Sequence, residues 1–156
     1  GDILYNGHSV SAVDLNQLVY EILALYEHSD AKISTRLAPA LPLITGDPTL
    51  LRQVVHNLLQ NAQDALAETE EPQITVETAV EENMVKLTVR DNGCGFPEAL
   101  MARLFEPYVT TKPKGTGLGL AVVKKIIEEH RGRMKVETIQ PHGASVCLYL
   151  PCGKVV

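Results

Sequence analysis

The sequence predicts an α+β fold, a mixed sheet with helices packed on one face. Three observations carry that expectation. Apolar residues recur at helical spacing in three segments, near 14–28, 47–68 and 117–130. Five runs, near 32–38, 73–80, 84–91, 133–139 and 144–150, read as strands. Glycine, proline and asparagine separate several of these segments.

Residues 1–12 mix Gly, Ser, His and Asn without a period, and read as a linker, a frayed start or a cloning remnant. Residues 13–156 then form the domain. Asp14 caps the first helix, with Gln17 at its third position, close to a capping box. Leu15, Leu18, Val19, Ile22, Leu23 and Leu25 supply its apolar repeat. Asp47-Pro48 starts the second helix, an N-cap acid followed by proline at the first position. Gly93, Gly95 and Pro97 break the chain after the strand near 84–91, and a short helix is expected over 98–104. Residues 106–116 hold two prolines, two lysines, three threonines and a glycine, which suits a mobile loop. Pro141-His142-Gly143 joins the last two strands as a turn. No repeat or low-complexity segment occurs.

Bulk properties narrow the function. At 156 residues the chain suits one domain with a real core. Its 45% hydrophobic and 21% charged content is that of a soluble globular protein. A net charge of −5 argues against a general nucleic-acid surface. No apolar run has membrane-spanning length, and no basic-then-apolar signal opens the chain. The three cysteines, Cys94, Cys147 and Cys152, lack paired metal spacing and are expected to be reduced thiols of a cytosolic protein.

Three stretches gain meaning from their order. The first is Asn57-Leu58-Leu59-Gln60-Asn61 on the second helix. At about 100° per residue, Gln53, Asn57, Asn61 and Asp64 fall within an arc of about 80°. Leu51, Val54, Val55, Leu58, Leu59, Ala62, Ala65 and Leu66 take the opposite side. Two asparagines one turn apart can aim amide oxygens at one point, and magnesium wants oxygen ligands. An ordinary solvated helix face accounts for the same pattern about as well.

The second stretch, Asp91-Asn92-Gly93-Cys94-Gly95, follows the apolar alternation of Val85, Leu87 and Val89. A carboxylate at a strand end can accept a hydrogen bond from an adenine amine, and Gly93 and Gly95 permit close backbone approach. A plain hairpin turn competes with that reading, but Phe96-Pro97-Glu98 does not resemble a returning strand.

The third, Gly115-Thr116-Gly117-Leu118-Gly119-Leu120, opens a helix. No Gly-Lys-Ser/Thr follows, so it is not a Walker loop. Leu120 replaces the last glycine of the dinucleotide fingerprint. Backbone amides at a helix start nonetheless suit phosphate. Leu118, Leu120, Val122, Val123, Ile126 and Ile127 form the buried arc of that helix, and Lys124, Lys125, Glu128 and Glu129 its solvated side. Lys112 and Lys114 precede it, within reach of terminal phosphates or as plain surface charge.

Together the stretches resemble the catalytic ATP-binding domain of bacterial sensor histidine kinases, within the gyrase/chaperone/MutL-type ATPase group. Leu104-Phe105-Glu106-Pro107-Tyr108-Val109-Thr110-Thr111-Lys112 and the following GTGLGLAVVKKIIEEH are most similar to the nitrogen-regulation, NtrB/NtrY-like branch. The resemblance spans about 13–151. It implies a two-layer α/β sandwich (the Bergerat fold), with a mainly antiparallel mixed sheet and a mobile ATP lid. It implies ATP and magnesium as cofactors. Asn61 matches the magnesium-binding asparagine and Asn57 its partner one turn earlier. Asp91 matches the adenine-reading aspartate, beside Gly93 and Gly95. Phe105 matches the aromatic that anchors the lid. Gly115, Gly117 and Gly119 match the phosphate loop, with Thr116 and Leu118 between them. Thr111, Lys112 and Lys114 are assigned to the lid's phosphate contacts and Asp64 to the pocket, and Asn57, Lys112 and Lys114 are the candidate catalytic residues.

Two departures qualify this. Related ATPases place a glutamate general base where this chain has Asn57, which cannot take a proton from water. Transfer to a protein acceptor is thereby favoured over rapid hydrolysis. Many histidine kinases carry a basic residue where this chain has Asp64, although the nitrogen branch often lacks it. The family's phosphoacceptor pattern, His-acid-x-x-x-Pro, surrounds none of His8, His28, His56, His130 and His142. His56 faces away from the asparagines and reads as structural. The expected entity is a catalytic domain cut from a longer kinase, monomeric and cytoplasmic, its parent either free or anchored in the inner membrane. Its partners are then a dimerisation and histidine-phosphotransfer domain of the same kinase and, through it, a response-regulator receiver domain, with no nucleic acid. A nucleotide-binding or docking module without transfer, or a slow ATPase of the same fold, are the alternatives.

Overall fold

The computed structural model describes residues 3–5, 8–95 and 119–152. Its elements run β1 (Ile3–Tyr5), β2 (His8–Val13), α1 (Leu15–Leu23), β3 (Lys32–Arg36), β4 (Ile44–Gly46), α2 (Pro48–Ala65), β5 (Gln73–Glu81), β6 (Met84–Asp91), α3 (Gly119–Glu129), β7 (Arg133–Thr138) and β8 (Ala144–Pro151). The main sheet has the order β3-β5-β6-β8-β7. Among the described residues only β3 and β5 pair in parallel; β5–β6, β6–β8 and β7–β8 are antiparallel. The expected mixed, mainly antiparallel sheet is therefore present.

Period-two alternation sets which face is covered. Ile74 and Val76 of β5, Val85, Leu87 and Val89 of β6, and Val146, Leu148 and Leu150 of β8 all point into one core. The same core takes Leu15, Leu18, Val19 and Ile22 from α1, Leu51, Val54, Val55, Leu58, Leu59 and Ala62 from α2, and Leu120, Val123, Ile126 and Ile127 from α3. The helices thus share one face of the sheet, the two-layer arrangement expected. Burying one leucine of this set contributes about 1.5–3 kcal/mol, so the stripe on α2 is the main reason the helix lies down with its polar side out.

Caps start the helices where the sequence places them. The Asp14 carboxylate accepts from the Gln17 N–H at 3.1 Å. Asp47 accepts from the Thr49 and Leu50 N–H groups at 2.8 and 3.3 Å, with Pro48 following. The first helix ends sooner than expected. It tightens into a 3-10 turn over Ala24–Tyr26, which turns Tyr26 inward and leaves Leu25 71% exposed. The second ends at Ala65, three residues early.

Strands also occur where no period announces them. β1, β2 and β4 form a separate antiparallel sheet, with Ser11, Ala12 and Val13 opposite Gly46, Thr45 and Ile44. A bridge from Ile44 to Cys152 joins it to the end of β8. The short helix over 98–104 and the loop over 106–116 lie outside the described residues.

Candidate functional site

The polar stripe on α2 lies where helical counting put it. Asn57 and Asn61 are half-buried between the solvated face and the core. Asp64 is drawn toward its own helix, its Oδ1 accepting from Gln60 Nε2 at 3.0 Å. Burial, and then the Asp64 charge, pushes the Tyr26 hydroxyl above its ordinary range. That hydroxyl lies 3.0 Å from His56 Nδ1, which accounts for His56 as a packing partner of the 3-10 turn rather than a site residue.

Asp91 ends β6 and is buried. Its Oδ1 accepts the Gly93 N–H at 2.9 Å, which fixes the carboxylate's orientation. The loop is then held from three sides. On the α2 side, the Cys94 N–H donates to the Ala65 carbonyl at 3.3 Å, and a Cβ on residue 93 would collide with that same oxygen. On the β5 side, Asn92 Oδ1 accepts from the Gln73 N–H at 2.8 Å, and its Nδ2 donates to the Glu71 carbonyl at 3.0 Å. On the β8 side, His142 Nδ1 lies 2.7 Å from the Asn92 carbonyl and 3.2 Å from that of Gly93. Both carbonyls only accept, so Nδ1 carries the proton. Gly95 and Gly143 take φ of +71° and +127°, and a Cβ on Gly95 would come to 2.8 Å from the Gly143 oxygen. The hairpin alternative is excluded: β6 pairs with β5 and β8, and neither is reached directly through this loop.

The third stretch enters through Gly119, the first residue of α3. A Cβ there would come to 3.1 Å from Asn61 Nδ2 and 3.2 Å from Oδ1. The backbone of α3 therefore lies close against the asparagine amide, and a side chain on residue 119 would fit only if that amide shifted by a few tenths of an ångström. Asn61, the Asp91 loop and Gly119 all gather about the C-terminal half of α2. Phe105, Thr111, Lys112, Lys114, Gly115, Thr116, Gly117 and Leu118 lie outside the described residues.

Sequence reasoning missed two contributors near this arrangement. Asn92 and His142 hold the Asp91 loop, yet neither carries a local signal. Their partners are main-chain groups 19 to 50 residues away. Among the described residues no helix is long and apolar enough to cross a membrane.

Comparison with known proteins agrees with this geometry. Residues 46–154 match the family described as histidine kinase-, DNA gyrase B- and HSP90-like ATPase. A putative sensor protein of Shewanella frigidimarina is 40% identical over 141 residues, covering 89% of this chain and 21% of that protein. A putative NtrY-like sensor histidine kinase of Rickettsia bellii is 42% identical over 102 residues, or 65% of this chain and 17% of that protein. The chain thus spans about a fifth of the length of these relatives. Among solved structures, the nucleotide-free catalytic domain of the histidine kinase ThkA aligns with a TM-score of 0.81 at 30% identity, covering 92% of this chain and 97% of that one. Full-length ShkA in complex with AMPPNP aligns with a TM-score of 0.81 at 27% identity, over 96% of this chain and 32% of that one. A family match over most of the chain and a whole-domain likeness to a histidine-kinase catalytic domain converge: the chain belongs to the histidine kinase-, DNA gyrase B- and HSP90-like ATPases, in their sensor histidine kinase branch.

Proposed function

We propose that residues 13–156 bind ATP with magnesium and present its γ-phosphoryl group to a histidine on a separate dimerisation domain of the same kinase. The observation that carries this is the meeting of Asn61 with Gly119 beside the loop that Asp91 closes. The donor set fits a hard cation: amide oxygens of Asn61 and Asn57, one turn apart on one helix face, with the remaining ligands from phosphate and water. Magnesium, when bound, neutralises phosphate charge. Asp91 accepts from the adenine amine, and Gly93 and Gly95 let backbone lie against the base. By the family resemblance we assign the amides of the glycine stretch from Gly115 to Gly119 to the phosphates, Lys112, Lys114 and Thr111 to the terminal one, and Phe105 to anchoring the lid.

Phosphoryl transfer asks for positioning and charge stabilisation more than for covalent help. The bond from the γ-phosphorus to its bridging oxygen breaks as one forms to the acceptor imidazole nitrogen. Asn57 stands where hydrolytic relatives need a base, so water is not activated and the phosphoryl group waits for the imidazole. A response-regulator receiver domain would take it from the histidine in turn. We place this work in the cytoplasm, with the catalytic domain monomeric by itself.

Incubating the domain with γ-labelled ATP and the dimerisation domain of its parent kinase tests the proposal. Label should appear on that partner, stable to alkali and lost in acid, as phosphohistidine is. ATP bound without any label transferred would leave a binding module and sink the kinase reading.

A further inference from the structure

His130 has no part in the nucleotide reading. It follows α3 directly, and both its ring nitrogens are committed to main-chain partners. The Asp47 N–H donates to Nε2 at 3.0 Å. Nδ1 lies 2.7 Å from the Ile126 carbonyl, which can only accept. The ring is therefore the neutral Nδ1–H tautomer, an acceptor toward α2 and a donor toward α3.

Each partner is structurally defined. Asp47 is the N-cap of α2, its carboxylate already serving Thr49 and Leu50. Ile126 lies in the last turn of α3, and its carbonyl accepts the His130 N–H at 3.1 Å as well as the imidazole Nδ1–H. That end is closed by a Schellman arrangement: Arg131 sits at φ 61°, its N–H donates to the Glu128 carbonyl at 3.0 Å, and the Gly132 N–H donates to the Ile127 carbonyl at 2.9 Å. The imidazole is thus fixed in space, and its bond to Asp47 ties the start of α2 to the end of α3. The surroundings are tight as well. A Cβ on Gly46 would come to 2.6 Å from His130 Cδ2 and 2.8 Å from Nε2.

The two helices are consequently tied at both ends. One tie joins Asp47 to His130; the other is the contact of Asn61 with Gly119, roughly 20 Å along α2 at about 1.5 Å per residue. We propose that His130 is a positioning residue for the metal end of the nucleotide site. By fixing how α3 lies against α2, it sets where Gly119 meets the Asn61 amide. His130 touches neither nucleotide nor metal on this account. The inference rests on the reading of Asn61 as a magnesium ligand, and it separates the metal end of the site from the adenine end. The Asp91 loop hangs from Ala65, Gln73 and His142, so it does not depend on the His130 tie.

Calorimetric titration with a non-hydrolysable ATP analogue, with and without magnesium, tests this on four proteins. The readout is the factor by which magnesium tightens binding, alongside the melting temperature. In His130→Ala that factor should shrink about fivefold, within the range seen for indirect coupling, while metal-free affinity stays near that of the unmodified domain. His130→Gln, whose amide offers one acceptor and one donor, should restore it. Gly46→Ala keeps the imidazole but crowds it, and Leu51 Cδ1 at 2.9 Å with it, and should reproduce the loss. An unchanged magnesium factor in both His130→Ala and Gly46→Ala, even with a lowered melting temperature, would make His130 a mere structural tie and overturn the inference alone. Absence of any magnesium effect in the unmodified domain would overturn the site reading and the inference with it.

Discussion

Gly119 lies against the amide of Asn61, so closely that a methyl group on residue 119 would sit 3.1 Å from Nδ2 and 3.2 Å from Oδ1. These residues are far apart in the chain, and each belongs to a different stretch of the three that define the site. Their contact makes the beginning of one helix and the polar stripe of another into a single surface.

Gly119→Ala tests that contact. The added methyl must displace the Asn61 amide by a few tenths of an ångström, while alanine favours the helix by up to about 1 kcal/mol. Affinity for magnesium–ATP should fall about threefold to tenfold, equivalent to roughly 0.7–1.4 kcal/mol, with the melting temperature unchanged or raised. Isothermal titration and thermal unfolding measure the two arms. Loss of stability with retained affinity would mean the contact is only packing.

Asp91→Asn separates base reading from loop architecture. Asparagine keeps an Oδ1 to accept the Gly93 N–H, so the loop should hold. It changes the other atom from an acceptor to a donor, which no longer matches the adenine amine. Unpaired buried polar groups cost about 1–3 kcal/mol, so the unmodified domain should prefer ATP to GTP by roughly tenfold or more and the variant should lose most of that preference. Competition binding with both nucleotides decides the matter, and equal affinities in the unmodified domain would contradict the role given to Asp91.

Tyr26 gives a pH dependence with a definite sign. Burial and the Asp64 charge raise its pKa in the folded state above the unfolded value near 10. A raised value means the neutral phenol stabilises the fold below about pH 10, and that contribution disappears as pH rises through the folded pKa. Tyr26→Phe should lose about 1 kcal/mol at neutral pH, where the hydroxyl meets His56, and should show a shallower alkaline loss than the unmodified domain. Denaturant unfolding between about pH 8 and 11 is the measurement. Parallel curves for the two proteins would remove Tyr26 from the account.

Leu59 and Leu148 are both 0% exposed and lie in the same core, from α2 and β8. Leu59→Ala should destabilise by about 2–5 kcal/mol in urea unfolding, because the cavity adds to the lost transfer energy. A change below about 1 kcal/mol would mean that the helix layer is not clamped to the sheet as described.

The legible parts of this chain are those whose partners are local or periodic. The stripe of α2 could be read because Leu51, Val54, Val55, Leu58 and Leu59 repeat every three or four residues and leave Asn57 and Asn61 opposite. Asp47-Pro48 marked the helix start through chemistry confined to one turn. What escaped depends on distant groups. β4 is three residues long, too short for a period, and its hydrogen bonds come from β2. The stretch before Val13 reads as unpatterned for the same reason, although Ser11, Ala12 and Val13 pair with β4. Leu25 fits a helical repeat, but the tightened turn brings Tyr26 inward in its place. His130 and His142 bond only to main-chain atoms, which no side-chain pattern announces.

The most direct test of the central claim is calorimetric titration of Asn61→Ala and Asn57→Ala with an ATP analogue, with and without magnesium. If the face of α2 holds the metal, Asn61→Ala should lose most of the magnesium-dependent affinity and Asn57→Ala a smaller part, with magnesium-free binding through the Asp91 loop largely kept. Magnesium-dependent affinity unchanged in Asn61→Ala would contradict the account.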